Sequence, residues 1–320
     1  MKVLITGGGG FLGSHLADRH LAMGDEVYAL DLANTQKIAH NMENPRFHYI
    51  KDSILDFDML ETLIIKSDLI YHLAGVVGVE HYVEDPFRVL DTNINGTQNV
   101  FKLALRHNKK VVYASTSEIY GRNPKVPWDE YDDRVLGSTA IDRWCYSTSK
   151  AAGEHFAFAY KKIGLRVVIV RYFNIYGPRL DLLDKGRVVT IFLGQLLRNK
   201  PVTIIGDGMQ TRCFTYITDC VEATYRTGTM PEADGGVFNL GTDVETTIKE
   251  LAILMKEISG SKSEIRYVKQ EEIYGKSYED IPRRVPRVER MKTILKCEAM
   301  IPLREGLKLT IDWFRKELSN

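Results

Sequence analysis

The stretch LITGGGGFLGSH, residues 4–15, decides how the rest of the chain is read. A short aliphatic run enters a glycine string in which Gly7, Gly10 and Gly13 are spaced G-x-x-G-x-x-G, and a helical pattern opens behind it. Glycines at such a turn let the backbone approach a pyrophosphate, and the N-terminus of the following helix attracts its negative charge. A merely flexible turn has the same composition, so the surroundings matter. Asp31 ends the next apolar run, EVYAL, 18 residues after Gly13. A carboxylate there accepts hydrogen bonds from an adenosine ribose 2′-hydroxyl and repels a 2′-phosphate, which favours NAD over NADP. Lys37 lies near enough in sequence to soften that preference, and Asp31 taken alone is also an ordinary turn residue.

Outward from this loop, the runs KVLIT, EVYAL, FHYI, LIYHLA, KVVYAS and LRVVIVRYF are separated by segments with apolar residues at helical spacing. That alternation predicts an α/β fold, a doubly wound parallel sheet with helices on both faces. The strands read as continuous apolar runs because both faces are covered. After residue 179 the rhythm loosens: VVTIFLGQLLRNK and TTIKELAILMKEIS read as helices, PVTII and EIRYV as strands, and LREGLKLTIDWFRKEL as a terminal helix. The division expected is 1–179, with 209–240 returning to it, against a smaller α/β lobe of 180–208 and 241–320. No repeat, low-complexity tract or long linker separates the two, so they should share a cleft.

The 320 residues are 44% hydrophobic and 27% charged, an ordinary soluble mixture. Net charge is +1 and no basic run exceeds a pair, so nothing signals nucleic acid or an anionic membrane, and any bound phosphate must be held locally. Four cysteines without a C-x-x-C pair suit a reducing compartment, and Cys145 reads as helix packing. The histidines show no metal-ligand spacing, and no run of apolar residues is long enough for a membrane span. A cytoplasmic protein without a metal is expected.

RWCYSTSKAAGEH, residues 143–155, sets Tyr146 four residues before Lys150. Partners at i and i+4 share a face of any helix, so the spacing alone leaves an acid/base pair and an ordinary amphipathic helix both open.

Together with TGGGGFLG (6–13), the segments YHLAG (71–75), NINGT (93–97), ASTSEIYG (114–121), YSTSK (146–150), RYFNIYGPR (171–179) and GDGMQTRCFTYITD (206–219) resemble the extended short-chain dehydrogenase/reductases that act on nucleotide sugars. The resemblance runs over nearly the whole chain, with the motifs in family order. It implies a Rossmann domain at 1–179 holding NAD and a nucleotide-sugar lobe beyond it. By resemblance, Tyr146 takes the proton of a sugar hydroxyl while hydride leaves the same carbon. A phenol of pKa near ~10 is a poor base at neutral pH, so Lys150 should favour its phenolate and also hold the nicotinamide ribose. Thr116 corresponds to the residue that hydrogen-bonds the reacting C4 hydroxyl. Cofactor contacts are implied at Gly7, Gly10, Phe11, Leu12, Gly13, Asp31, Ser53, Ile54, Leu73, Ala74, Asn93, Tyr146 and Lys150, with Asn93 ordering the strand and helix beneath the site. Asn174, Arg212 and Arg284, with Arg283 a weaker match, correspond to residues that contact the sugar diphosphate, a task suited to the planar fork of arginine.

Reactions in this branch begin by oxidising C4 to a ketone. Decarboxylation follows if C6 is a carboxylate, loss of water across C5 and C6 if it is a hydroxyl, and 4-epimerisation if the ring turns over before hydride returns. Thr116, Ser117 and Glu118 form a T-S-E that resembles UDP-glucuronic acid decarboxylases and is shared by GDP-mannose dehydratases, which implies that Glu118 with Ser117 manages protons or sugar position near C5. Usually dTDP-glucose dehydratases have aspartate at the place of Ser117, and many epimerases lack the glutamate. GRVVTIF (186–192) brings Arg187 to where epimerases commonly have an apolar residue, a cation able to receive a carboxylate or a surface residue at a helix start. Tyr82 matches a decarboxylase tyrosine near the sugar, and Arg284-Val285-Pro286 resembles the decarboxylase R-K-P, whereas the GVVGVE loop (75–80) departs from that pattern. Conversion of UDP-glucuronate to UDP-xylose leads, with a UDP-sugar 4-epimerase, a 4,6-dehydratase and a non-catalytic NAD sensor as alternatives. A homodimer through 86–108 and 144–163 is expected by resemblance.

Overall fold

The computed structural model describes residues 1–269 and 280–319. The six apolar runs become β1 (Lys2–Thr6), β2 (Glu26–Asp31), β3 (Phe47–Lys51), β4 (Leu69–His72), β5 (Lys110–Thr116) and β6 (Val167–Tyr172). They are followed by β7 (Ile175–Tyr176), β8 (Val202–Ile205), β9 (Thr211–Cys213), β10 (Thr215–Tyr216), β11 (Val237–Leu240), β12 (Glu245–Thr247), β13 (Ile265–Val268) and β14 (Arg283–Arg284). The large sheet runs β11-β6-β5-β4-β1-β2-β3, parallel throughout.

Side chains alternate across a strand, and here both faces are covered. Val3 and Ile5 pack with Leu16, Ala17 and Leu21 of α1 (Phe11–Ala22), whereas Leu4 packs with Leu60, Leu63 and Ile64 of α2 (Phe57–Lys66). Each such side chain removed from water contributes roughly 1.5–3 kcal/mol before entropy is counted. The second face is completed beyond α3 (Val79–Glu84) and α4 (Pro86–Asp91) by α5 (Thr97–Arg106) and the long α6 (Arg143–Lys162). Strand order reverses between β1 and β4, so the loops leaving their C-terminal ends part to opposite faces and open a crevice between them.

Among the described residues the further α-helices are α7 (Val188–Leu197), α8 (Ile217–Thr229), α9 (Ile248–Ser259), a short turn of helix at Glu289–Thr293 and the terminal Leu303–Ser319. α9 is bounded by its own sequence: Thr247 and Glu250 form a reciprocal capping box at its start, and Gly260 takes the left-handed conformation at its end. Within 209–240, β9 pairs with β12 and β14 in a small sheet, while α8 lies on α1 and β11 completes the large sheet. Among the described residues no helix is long and apolar enough to cross a membrane, and all four cysteines are free thiols.

Candidate active site

The glycine loop is shaped by what lies against it. Gly7 has φ +74°, and a Cβ there would stand 2.8 Å from the backbone nitrogen of Ala74. A Cβ on Gly13 would stand 2.1 Å from the carbonyl oxygen of Gly7. Leu73 N donates to the Thr6 carbonyl at 3.0 Å and Ala74 N to Thr6 Oγ1 at 3.2 Å, which holds the end of β4 against the loop. Gly10 caps α1 with no side-chain acceptor, so its first-turn amides, at Phe11 and Leu12, are left to an outside anion. Asp31 accepts from Gly9 N at 2.9 Å and from Ala33 N at 2.9 Å, placing its carboxylate beside the loop. This cradle fits a dinucleotide. Lys37 is turned elsewhere: its Nζ donates to the Leu180 carbonyl, and burial lowers its pKa. Ser53 accepts from Leu55 N at 3.1 Å, and the buried Ile54 fills the space that a Cβ on Gly96 would need.

α6 carries the acid/base candidates. Tyr146, Lys150 and Glu154 recur at one-turn intervals along one face, and all three are buried. Tyr146 shares a hydrogen bond with Thr116 and stacks on Tyr82, ring centroids 5.7 Å apart. The Lys150 ammonium lies 4.6 Å from the Tyr113 ring centroid and would be 3.8 Å from a Cβ on Gly75. Burial lowers its pKa to about 8, against the attraction of Glu154. Asn93 joins the two sides of the crevice, accepting from Val76 N at 2.8 Å and donating to Ser149 Oγ at 3.1 Å.

Burial raises the pKa of Tyr146 to about 12, and the charge of Glu118 pushes the same way, with Thr116, Arg187 and Arg284 opposing.

Glu118 follows Thr116 and the buried Ser117 in a short 3-10 turn. Its two oxygens accept from Arg143 Nη2 at 3.1 and 3.0 Å, and Arg284 Nη1 lies 2.6 Å from Oε1. Burial pushes this carboxyl up, but the two guanidinium groups overcome it and bring its pKa down to about 2. Arg284 is paired in register with Arg212 across β14 and β9, and Arg212 donates to Asp280 at 2.9 Å. Among the described residues Asn174 Oδ1 is buried without a hydrogen-bond partner, which leaves an acceptor open to a donor. Arg283 turns away to Glu245 at 2.8 Å. Arg187 is held by Asp181 at 3.0 Å and lies 5.9 Å from the Phe11 ring centroid, so it is not an unpaired receptor for a carboxylate. Two side chains that the motifs do not single out, Arg143 and Asp280, join this cluster. The only sequence signal for Arg143 is its position three residues before Tyr146.

A family model described as the NAD dependent epimerase/dehydratase family matches residues 3–241. The UDP-N-acetyl-alpha-D-glucosaminuronate decarboxylase of Bacillus cytotoxicus is 38% identical over 317 residues, 98% of each chain. UDP-glucuronic acid decarboxylase 1 of Arabidopsis thaliana is 37% identical over 100% of this chain and 71% of its own. Among solved structures, the UDP-glucuronic acid 4-epimerase of Bacillus cereus, in complex with UDP-glucuronic acid and NAD, superposes with a TM-score of 0.89 at 29% identity, covering 99% of this chain and 100% of its own. With the crevice, the glycine cradle and the Tyr146–Lys150 face, these likenesses make the chain a member of the NAD-dependent epimerase/dehydratase family.

Proposed function

We propose that the chain is a decarboxylase of UDP-glucuronate, forming UDP-xylose and carbon dioxide through a 4-keto intermediate. The observation that carries this reading is the Glu118 carboxyl, held between Arg143 and Arg284 beside Thr116 and Tyr146. NAD bound in this cradle would supply a hydride acceptor and donor for C4, so that no outside reductant would be needed. Its holders would be Gly7, Gly10, Phe11, Leu12, Gly13, Asp31, Ser53, Ile54, Leu73, Ala74 and Asn93, with Lys150 at the nicotinamide ribose. Asn174, Arg212 and Arg284 would hold the diphosphate, with Tyr82 near the sugar.

Thr116 orients the C4 hydroxyl and Tyr146 takes its proton. The resulting ketone is β to the C6 carboxylate, so the C5–C6 bonding pair can pass into an enolate at C4 and C5 as carbon dioxide leaves. C5 then takes up one proton from solvent, hydride returns to C4, and Tyr146 gives its proton back to the C4 oxygen. Full-length similarity to relatives named as decarboxylases supports the same choice.

A second reading, 4-epimerisation, is favoured by the close superposition on a UDP-glucuronic acid epimerase. UDP-glucuronate labelled with 13C at C6 separates the two. Decarboxylation releases the label as bicarbonate from the wild type and not from Tyr146→Phe, whereas epimerisation leaves it on the sugar. A cytoplasmic homodimer whose two lobes enclose the cleft belongs to the same proposal.

A further inference from the structure

We propose that Arg143 is a positioning residue that sets the orientation and charge of Glu118, and through it the turnover of the site. What Glu118 does for the reaction rests on the decarboxylase reading, but the contact is independent of the sugar. Arg143 begins α6 three residues before Tyr146, so the helix that presents the phenol also presents the guanidinium. Its side chain is 1% exposed, a position an arginine occupies only when its lost hydration is repaid by an opposite charge.

The groups facing Glu118 divide the work. Ser147 Oγ donates to its backbone carbonyl at 2.8 Å, and its amide donates to Thr116 Oγ1 at 3.2 Å, so the main chain is anchored without any arginine. The carboxylate is anchored separately. Arg284, from β14, reaches Oε1, whereas Arg143, from α6, reaches both oxygens and so fixes the plane of the group. Tyr146 contributes its phenol from the same helix, and Asp280 stands behind Arg143 at 3.7 Å while also holding Arg212. Loss of Arg143 would leave Glu118 buried with one cation and one fixed oxygen, free to rotate and easier to protonate.

The test uses the NAD-bound full chain labelled with 13C in glutamate carboxyls, Glu118 being assigned by the signal lost in Glu118→Gln. In the wild type that signal should stay in its ionised position from pH 7 down to pH 4. In Arg143→Gln it should titrate with a midpoint above pH 4, a shift of at least about two pH units, with Arg143→Lys in between. An unmoved Glu118 signal in Arg143→Gln would overturn the proposal. Kinetically, Arg143→Gln should lower kcat at least about tenfold with KM changed less than about threefold, and the double variant with Glu118→Gln should be no slower than Glu118→Gln alone. Losses that multiply would also overturn it. Thermal unfolding and retained NAD check folding, and Arg143→Lys carries the comparison if the glutamine variant does not fold. Wild-type protein that leaves UDP-glucuronate unchanged would sink the decarboxylase reading alone, because the carboxyl titration needs no substrate.

Discussion

Lys150→Met should abolish turnover and at the same time stabilise the protein. Lys150 is 4% exposed and lies over Tyr113, and the nearest anion, Glu154, is already engaged by Arg171 at 2.6 and 2.9 Å and by Ser115 at 2.5 Å. Burial therefore dominates and lowers the ammonium from 10.5 to about 8. The difference of about 2.5 pH units, at 1.36 kcal/mol each, is a cost of about 3 kcal/mol in the folded state. Methionine keeps most of the buried volume but gives up the contact with the Tyr113 ring, worth about 0.5–2 kcal/mol. The net gain at pH 7 should be about 1–3 kcal/mol, a rise of a few degrees in Tm for a chain of this size.

The sign fixes the pH dependence. Below pH 8 both folded and unfolded chains carry the proton and the whole cost is present. Between pH 8 and 10.5 the folded chain sheds it first, so wild-type stability rises and the advantage of the variant shrinks. Urea unfolding of NAD-free protein at pH 7 and pH 9.5 measures both effects. A variant less stable than wild type at pH 7, or a gain that does not shrink at pH 9.5, would mean that the buried ammonium is not a net cost to the fold.

Tyr146→Phe should lose about 10²–10⁴-fold in single-turnover rate while keeping NAD and fold, and retention of more than a tenth of the rate would remove the phenol from the mechanism. Gly13→Ala, whose Cβ would meet the Gly7 carbonyl at 2.1 Å, should purify with at least about tenfold less NAD by absorbance and chromatography; an undiminished content would mean the loop adapts. Glu118, lowered from 4.5 to about 2, contributes stability that is fully present above pH 4.5 and is lost as pH falls toward 2. From pH 5.5 to 3.5 this amounts to about 1 kcal/mol by linkage, seen as wild type losing that much more than Glu118→Gln in urea unfolding.

The large sheet was legible because each strand is an apolar run and each βα turn carries its own chemistry. Gly7 and Gly13 had to be glycine because the end of β4 and the loop's own carbonyl occupy the space of a Cβ. Asp31, at the end of β2, came with the same pattern. The helical spacing of Tyr146 and Lys150 was equally plain, but their burial, which raises the pKa of the phenol, was not. Long-range pairing hid the rest. Arg143 meets Glu118 from 25 residues away and Asp280 meets Arg212 from 68, so no local spacing announces either contact. Arg187 was readable as a cation, but its pairing with Asp181 depends on how the segment before α7 folds back.

The most direct test of the proposed chemistry is a proton NMR time course of the purified protein with UDP-glucuronate and NAD. The substrate signals should give way to those of UDP-xylose, with two protons on C5 and one of them from solvent. Appearance of UDP-galacturonate with its C6 carboxylate intact would contradict the decarboxylase reading and leave C4 oxidation followed by epimerisation in its place.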